Sequence, residues 1–137
     1  MTTLLFTGGY DNLVKIAEFV KSAAKEAGLD DAGIYAVDAA VDEACTNIIE
    51  HGYKCEGGGD IECTCEITNK GLKIILKDRC QLFDPAQIPD PDVKAPLKDR
   101  RSQGLGLYFI RKLMDEVVFD YEPEVGNVLT LIKLKEK

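Results

Sequence analysis

The hydrophobic period of this chain changes near its middle, and that change restricts the fold more than any other feature. In the first half, apolar residues recur three and four positions apart, which is the spacing of one helix face. Between residues 61 and 78 they alternate with polar residues, as in a half-buried strand. A helical half followed by a strand-rich half predicts a layer of helices packed on one sheet.

Two long helices are predicted before residue 53. The first ends at Gly28, and the second begins at Asp30 or Asp31 and closes near Gly52. A third helix is predicted to open at 104–107. The predicted strands cover residues 4–6, 61–67, 72–78, 117–121 and 128–134.

The turn between the last two strands is predicted to carry Gly126 and Asn127, since both residue types are typical of turns. The expected fold class is therefore α+β. We expect a two-layer α/β sandwich with a mixed, mostly antiparallel sheet and about three helices on one face. Residues 1–137 are expected to form a single domain.

Charge and composition exclude some classes of partner. The formal charge of −7 argues against a general nucleic-acid or anionic-membrane surface, and no apolar run approaches the length of a membrane span. Five cysteines are present without zinc-type spacing, and Cys63 and Cys65 lie on one face of a predicted strand. We interpret them as reduced packing residues of a cytoplasmic protein; a disulfide framework is the alternative.

Glu43, Asn47 and His51 recur every four residues and form a polar row along the second helix. A carboxylate one turn from a carboxamide suits a hard cation and its water, because Glu can deprotonate water and Asn offers a neutral oxygen ligand. A solvated helix face shows the same pattern, so the row alone does not establish a site.

Two later segments add polar and glycine-rich features. Asp78 ends a predicted strand, where a carboxylate either caps a turn or accepts a hydrogen bond from the exocyclic amine of adenine. Phe83 suits packing under a base, or in the core. Gly104 and Gly106 precede a helix whose free N–H groups would face a phosphate, and Arg101 lies just before them.

Together these segments resemble the GHKL ATPase/kinase superfamily, and within it the anti-sigma-factor serine kinases. Residues 43–53 resemble the N box of that family, residues 78–85 its first glycine box, and residues 104–107 with 110–117 its second glycine box and following helix. The segments occur in the family's order, and the resemblance covers nearly the whole chain.

The resemblance implies a role for each matching residue. Glu43 would be the general base, Asn47 would bind Mg²⁺, and Asp78 would bond the adenine amine, with an ATP lid over residues 84–103. The positions that would contact the nucleotide are Asn47, Asp78, Cys80, Phe83, Arg101, Gly104, Leu105, Gly106 and Leu107.

The resemblance also implies partners: an anti-anti-sigma substrate protein of the STAS type, a sigma factor and a second copy of the chain. The sequence departs from the family at Cys80, where glycine is usual and where a side chain would crowd the base. Two hypotheses follow. The first is an active serine/threonine-protein kinase using ATP and Mg²⁺, and the second is a non-catalytic regulator-binding module with weak or no nucleotide binding.

Overall fold

The computed structural model describes residues 1–7, 9–50, 60–79 and 105–135, with residues 105–107 described by their backbone alone. Three helices lie within these ranges: α1 (Asn12–Glu26), α2 (Asp31–Glu50) and α3 (Leu105–Leu113). The strands there are β1 (Thr2–Phe6), β2 (Ile61–Ile67), β3 (Gly71–Asp78), β4 (Glu116–Glu122) and β5 (Gly126–Leu134). The element order and the α+β class agree with the prediction.

The five strands form one sheet in the order β1-β2-β3-β5-β4, and each neighbouring pair is antiparallel. The expectation of a mixed sheet was therefore wrong for the described strands. β3 and β4 are joined through a helix and run in the same direction, as in a β-α-β unit, but β5 lies between them. Because β5 lies between them, β3 and β4 each pair with β5 in the antiparallel direction and do not pair with each other.

One face of the sheet is apolar and packs against the helices. On β3, Leu72, Ile74 and Leu76 are buried, while the residues between them are only half-buried. The same alternation follows the strand pairing into β2 and β5. The core also takes in Ile16 and Val20 of α1, together with the inner stripe of α2. Helices and sheet therefore form the two layers that the change of period predicted.

The connection between α1 and α2 is fixed by hydrogen bonds at both helix ends. Gly28 has a φ of +85°, and the N–H of Leu29 donates to the carbonyl of Ala24 at 3.1 Å, which closes α1 in a Schellman motif. Asp30 caps α2, because its Oδ1 accepts a hydrogen bond of 2.8 Å from the N–H of Gly33. The two helices consequently form an antiparallel hairpin.

Cys45, Cys63 and Cys65 are free and buried, as predicted for packing residues, whereas Cys55 and Cys80 lie outside the described ranges. The hydrogen bond with Cys65 and burial raise the pKa of Cys63 above the ordinary thiol value, so it stays a neutral core group. Among the described helices, none combines the length and apolarity needed to cross a bilayer.

Candidate functional site

A buried polar pair lies where β3 ends and β5 begins. The register places Asp78 opposite Asn127, and Nδ2 of Asn127 donates to Oδ1 of Asp78 at 3.1 Å. The two residues are only 8% and 4% exposed. A buried carboxylate is costly unless it is hydrogen-bonded, and this amide donor helps to stabilise Asp78 at its buried position.

This pair continues the core-facing row of both strands. On β3, Asp78 follows Leu76 at the strand's two-residue spacing, and on β5 Asn127 precedes Leu129 at the same spacing. Both polar side chains consequently stand on the face that carries the helices. The row therefore changes from apolar to polar at one end of the interface between the helix layer and the sheet. A pocket for a polar ligand is expected at such a position.

Gly126 makes this pairing sterically feasible. Its φ is +106°, and a β-carbon added there would lie 2.1 Å from the carbonyl oxygen of Asp78. The turn before it is closed by a hydrogen bond from the N–H of Val125 to the carbonyl of Glu122. A tight turn followed by a glycine of positive φ is the usual start of a returning strand in a three-residue hairpin loop. The predicted turn position for Gly126 and Asn127 was therefore wrong, since both belong to β5.

The polar row of α2 stands beside the helix's buried stripe. Glu43 and Asn47 are half-buried, whereas Val41 and Ala44 next to them are buried. Spacing of four residues places the Glu43 and Asn47 side chains one above the other on the helix. His51, the third predicted member, lies outside the described residues.

The packing of α2 on β5 brings this row to the same end of the molecule as Asp78. The start of α2, at Asp30 and Gly33, borders a groove of about 520 Å³ shared with Leu134 at the far end of β5. From there, Cys45 lies about 21 Å along the helix at 1.5 Å per residue. Asn127 lies about 23 Å back along the strand at 3.3 Å per residue. The two lengths are similar, and the effect of the Asp78 charge on Cys45 places the second half of α2 near the Asp78–Asn127 pair.

The electrostatic surroundings of Cys45 agree with this proximity. The pKa of the Cys45 thiol is raised to about 12, first by burial and then by the negative charges of Asp42 and Asp78. Asp78 therefore acts on Cys45, which lies between Glu43 and Asn47 in the sequence. The groove at the opposite end of α2 has none of these predicted residues in its lining, so we do not place the site there.

The third predicted segment is only partly described. The backbone from Leu105, through Gly106 and Leu107, forms the first turn of α3, and α3 packs against α2. Ile110 of this helix and Met114, which directly follows it, are buried and hold it to the core. The remaining predicted nucleotide contacts lie outside the described residues: Cys80, Phe83, Arg101 and Gly104.

The described residues contain no cluster of three or more His, Cys, Asp or Glu side chains arranged to hold a metal ion. Mg²⁺ does not require such a cluster, because it usually takes one or two protein oxygens and completes its shell with phosphates and water. Asn47, with one amide oxygen on the half-buried row, suits that limited part.

Comparison with known proteins identifies the family. Residues 6–133 match the family model described as histidine kinase-like ATPase domain. Serine-protein kinase RsbW of Halalkalibacterium halodurans is 32% identical over 102 residues, which cover 72% of this chain and 60% of that protein. The proteins of the same name from Bacillus cereus and Bacillus anthracis are 35% identical over 95 residues, or 66% of this chain and 59% of theirs. The matched region thus spans about three fifths of the relatives' length.

Proposed function

The chain belongs to the histidine kinase-like ATPase family, and on that basis we propose that it is an ATP-binding serine/threonine-protein kinase that acts as an anti-sigma factor. The observation that carries the proposal is the position of Asp78: buried, oriented by an amide, and near the Glu43 and Asn47 row of α2. Two segments distant in sequence therefore meet at one end of the molecule. The relatives named as serine-protein kinases favour this function over a non-catalytic module.

The roles we propose for the residues are those that the family resemblance implies, and the chemistry of each residue suits its role. The Asp78 carboxylate accepts a hydrogen bond from the exocyclic amine of adenine, which guanine does not offer at that position. Glu43 takes the proton from the attacking hydroxyl of the substrate protein. Asn47 holds Mg²⁺, which neutralises charge on the phosphates when it is bound. The N–H groups of the first turn of α3, at Leu105, Gly106 and Leu107, donate hydrogen bonds to phosphate oxygens.

The partners we propose are a STAS-type anti-anti-sigma protein as the phosphate acceptor, a sigma factor as the sequestered protein, and a second copy of this chain. The relatives named as serine-protein kinases support a protein as the phosphate acceptor, and the family resemblance of the N box implies the rest of this set. We place the protein in the cytoplasm, consistent with three buried free thiols, which persist in a reducing compartment.

The test is transfer of labelled phosphate from Mg-ATP to a purified anti-anti-sigma protein. We expect Glu43→Gln to lose about a hundredfold or more in transfer rate while keeping its affinity for ADP, since general-base contributions are of that size. Asn47→Ala should lose Mg²⁺-dependent nucleotide binding. Asp42→Asn is the matched control, because it removes an exposed carboxylate from the adjacent position of the same helix.

The outcomes separate the parts of the proposal. A parent protein that binds ADP but transfers no phosphate to any acceptor contradicts the kinase assignment and leaves nucleotide binding intact. A parent protein that binds no nucleotide in calorimetry contradicts both. Equal loss in Glu43→Gln and Asp42→Asn would show that Glu43 has no special part in transfer.

A further inference from the structure

A set of contacts joins the end of α3 to the end of β5, at the end of that strand remote from the candidate site. The carboxylate of Asp115, which follows α3, accepts a hydrogen bond of 2.7 Å from the N–H of Leu134. The N–H of Asp115 donates to the carbonyl of Ile132 at 2.9 Å. Nζ of Lys133 donates to the carbonyl of Leu113 at 3.2 Å and lies 3.7 Å from Oδ2 of Asp115. We call these contacts the α3 clamp.

Lys133 belongs to the clamp because of its position in β5. It follows Leu131 at the two-residue spacing of a strand, so its side chain leaves β5 on the core-facing side and is only 22% exposed. A largely buried ammonium group needs hydrogen-bond acceptors. Leu113 is the last residue of α3, and its carbonyl is one that the helix itself leaves unsatisfied. The helix dipole also favours a cation there, so the sheet holds α3 by its C-terminal end.

The helix that the clamp holds is the one whose first turn we propose to bind phosphate. α3 has nine residues and packs into the core through the buried Ile110. Along the helix axis, Leu113 lies about 4.5 Å from Ile110, and Leu105 lies about 7.5 Å from it on the other side. A tilt about Ile110 that moves Leu113 by about 1 Å would therefore move Leu105 by about 1.7 Å. Since N–H to oxygen distances in hydrogen bonds span only about 2.7–3.2 Å, such a tilt would break the bonds to phosphate.

We propose that the α3 clamp, through Asp115 and Lys133, positions the first turn of α3 for phosphate binding. This inference rests on the proposed nucleotide binding. Asp115 is a positioning residue, since the clamped end of α3 lies about 12 Å along the helix from Leu105. Loss of the clamp should weaken the binding of the phosphates and leave the binding of the adenosine part at Asp78 unchanged.

The experiment compares ADP with adenosine, which has no phosphate groups. ADP affinity is measured by calorimetry, and adenosine affinity by competition with ADP. Asp115→Ala should bind ADP about tenfold or more weakly than the parent, the loss expected for one hydrogen bond to a charged group, and adenosine within about twofold of the parent. Lys133→Met, which keeps an apolar stem and removes the ammonium group, should lower the ratio of ADP to adenosine affinity in the same direction.

Asp30→Ala is the matched control. It removes another carboxylate that accepts a backbone hydrogen bond, here 2.8 Å from the N–H of Gly33, and Asp30 borders the same groove as Asp115. Because Asp30 caps α2 and does not hold α3, its variant should lose stability and keep the parent's affinity ratio. If Asp115 has only a structural role, Asp115→Ala will also lose stability and keep that ratio, and this result overturns the inference. An equal fall of the ratio in Asp30→Ala overturns it as well.

Hydrogen exchange gives a second measurement if Asp115→Ala does not fold or if adenosine binds too weakly to compete. At saturating ADP, phosphate should protect the backbone amides of residues 105–107 in the parent and in Asp30→Ala, because the first turn of a helix leaves these donors free. The protection should be clearly lower in Lys133→Met. Equal protection in the three proteins overturns the inference.

The failure of this inference is distinct from the failure of the proposed function. A parent that binds no ADP removes the nucleotide site, and the role of the clamp with it. A parent that binds adenosine as tightly as ADP overturns phosphate binding by α3. A parent that prefers ADP, together with Asp115→Ala and Lys133→Met variants that prefer it equally, overturns the role of the clamp alone.

Discussion

Replacing Gly126 with alanine tests the geometry of the site most directly. A β-carbon at this position would lie 2.1 Å from the carbonyl oxygen of Asp78 and 3.1 Å from the Cα of Arg79, so the β3 and β5 backbones would have to separate. Gly28 offers a matched comparison. Its φ is also positive, at +85°, but its nearest contact would be 3.6 Å away, at the Cδ of Lys135. Alanine strains the backbone at both sites and collides at only one.

The expected cost follows from these two contributions. Forcing alanine into a positive φ costs about 1–2 kcal/mol, which is the whole cost expected for Gly28→Ala. The collision at Gly126 adds a contribution of the size seen for overpacked cores, about 1–3 kcal/mol. We therefore expect Gly126→Ala to lower the free energy of unfolding by about 2–5 kcal/mol. For a domain of this size each kcal/mol lowers Tm by about 4 °C.

The measurement is urea denaturation followed by far-ultraviolet circular dichroism, since the chain has no tryptophan to report by fluorescence. ADP affinity is then measured at a temperature where both variants are folded. Gly126→Ala should bind ADP more weakly because Asp78 is displaced, while Gly28→Ala should bind like the parent. If the two variants are equally destabilised, the close approach of β3 and β5 at Asp78 is not as described, and the reasoning fails.

Three further predictions concern stability. Asp30→Ala should cost about 1 kcal/mol in urea denaturation, because it removes the cap on the N–H of Gly33. Ile74→Ala should lower the free energy of unfolding by about 2–5 kcal/mol, and Ile75→Ala should lower it clearly less. The reason is that Ile74 is fully buried, whereas Ile75 is half-buried on the other face of the sheet. Similar losses in the two variants would contradict the two-layer packing. Cys45 has a pKa of about 12 in the folded protein against an ordinary 9.0, so the unfolded chain releases its proton first and stability falls as pH rises above about 9. In Cys45→Ala, stability should fall less steeply over this pH range. A fall in stability identical to that of the parent would refute the burial of this thiol.

Local pattern was enough to predict most of the elements. The apolar stripe of α2 depends on side chains three or four residues apart, and the alternation through β2 and β3 depends on side chains two residues apart. Residues close in the sequence therefore carry the signal for these elements. The glycine that ends α1 and the aspartate that begins α2 are equally local, because a cap bonds to backbone within the same turn.

The order of the strands was not predictable in the same way. Whether β4 lies beside β3 or beyond β5 depends on pairing between segments that are far apart along the chain, and both arrangements leave the alternation of β4 unchanged. Helix-connected strands commonly lie side by side and parallel, and a parallel β3–β4 pair would have made the sheet mixed. The observed sheet avoids a parallel pair by placing β5 between them.

The candidate site shows the same division between local and distant information. Glu43 and Asn47 were found because they share a helix row, and Asp78 because it ends a strand. Asn127 was assigned to a turn because glycine followed by asparagine is typical of turns, and its partner Asp78 lies 49 residues away.

A strand-based signal for Asn127 was nevertheless present. Leu129 and Leu131 are core-facing residues of β5, and extending their two-residue period backward by one step places Asn127 on the same face. A polar residue at the next core position of a strand must find a partner or remain unsatisfied, so its presence in the sequence is enough to predict a buried polar contact. Asp78, the next core-facing position after Leu76 on β3, has the same requirement, and a hydrogen bond joins the two residues. A strand whose apolar alternation ends in a polar residue on the core face is therefore a sequence signal for a site, and two such strands predict that their ends lie side by side.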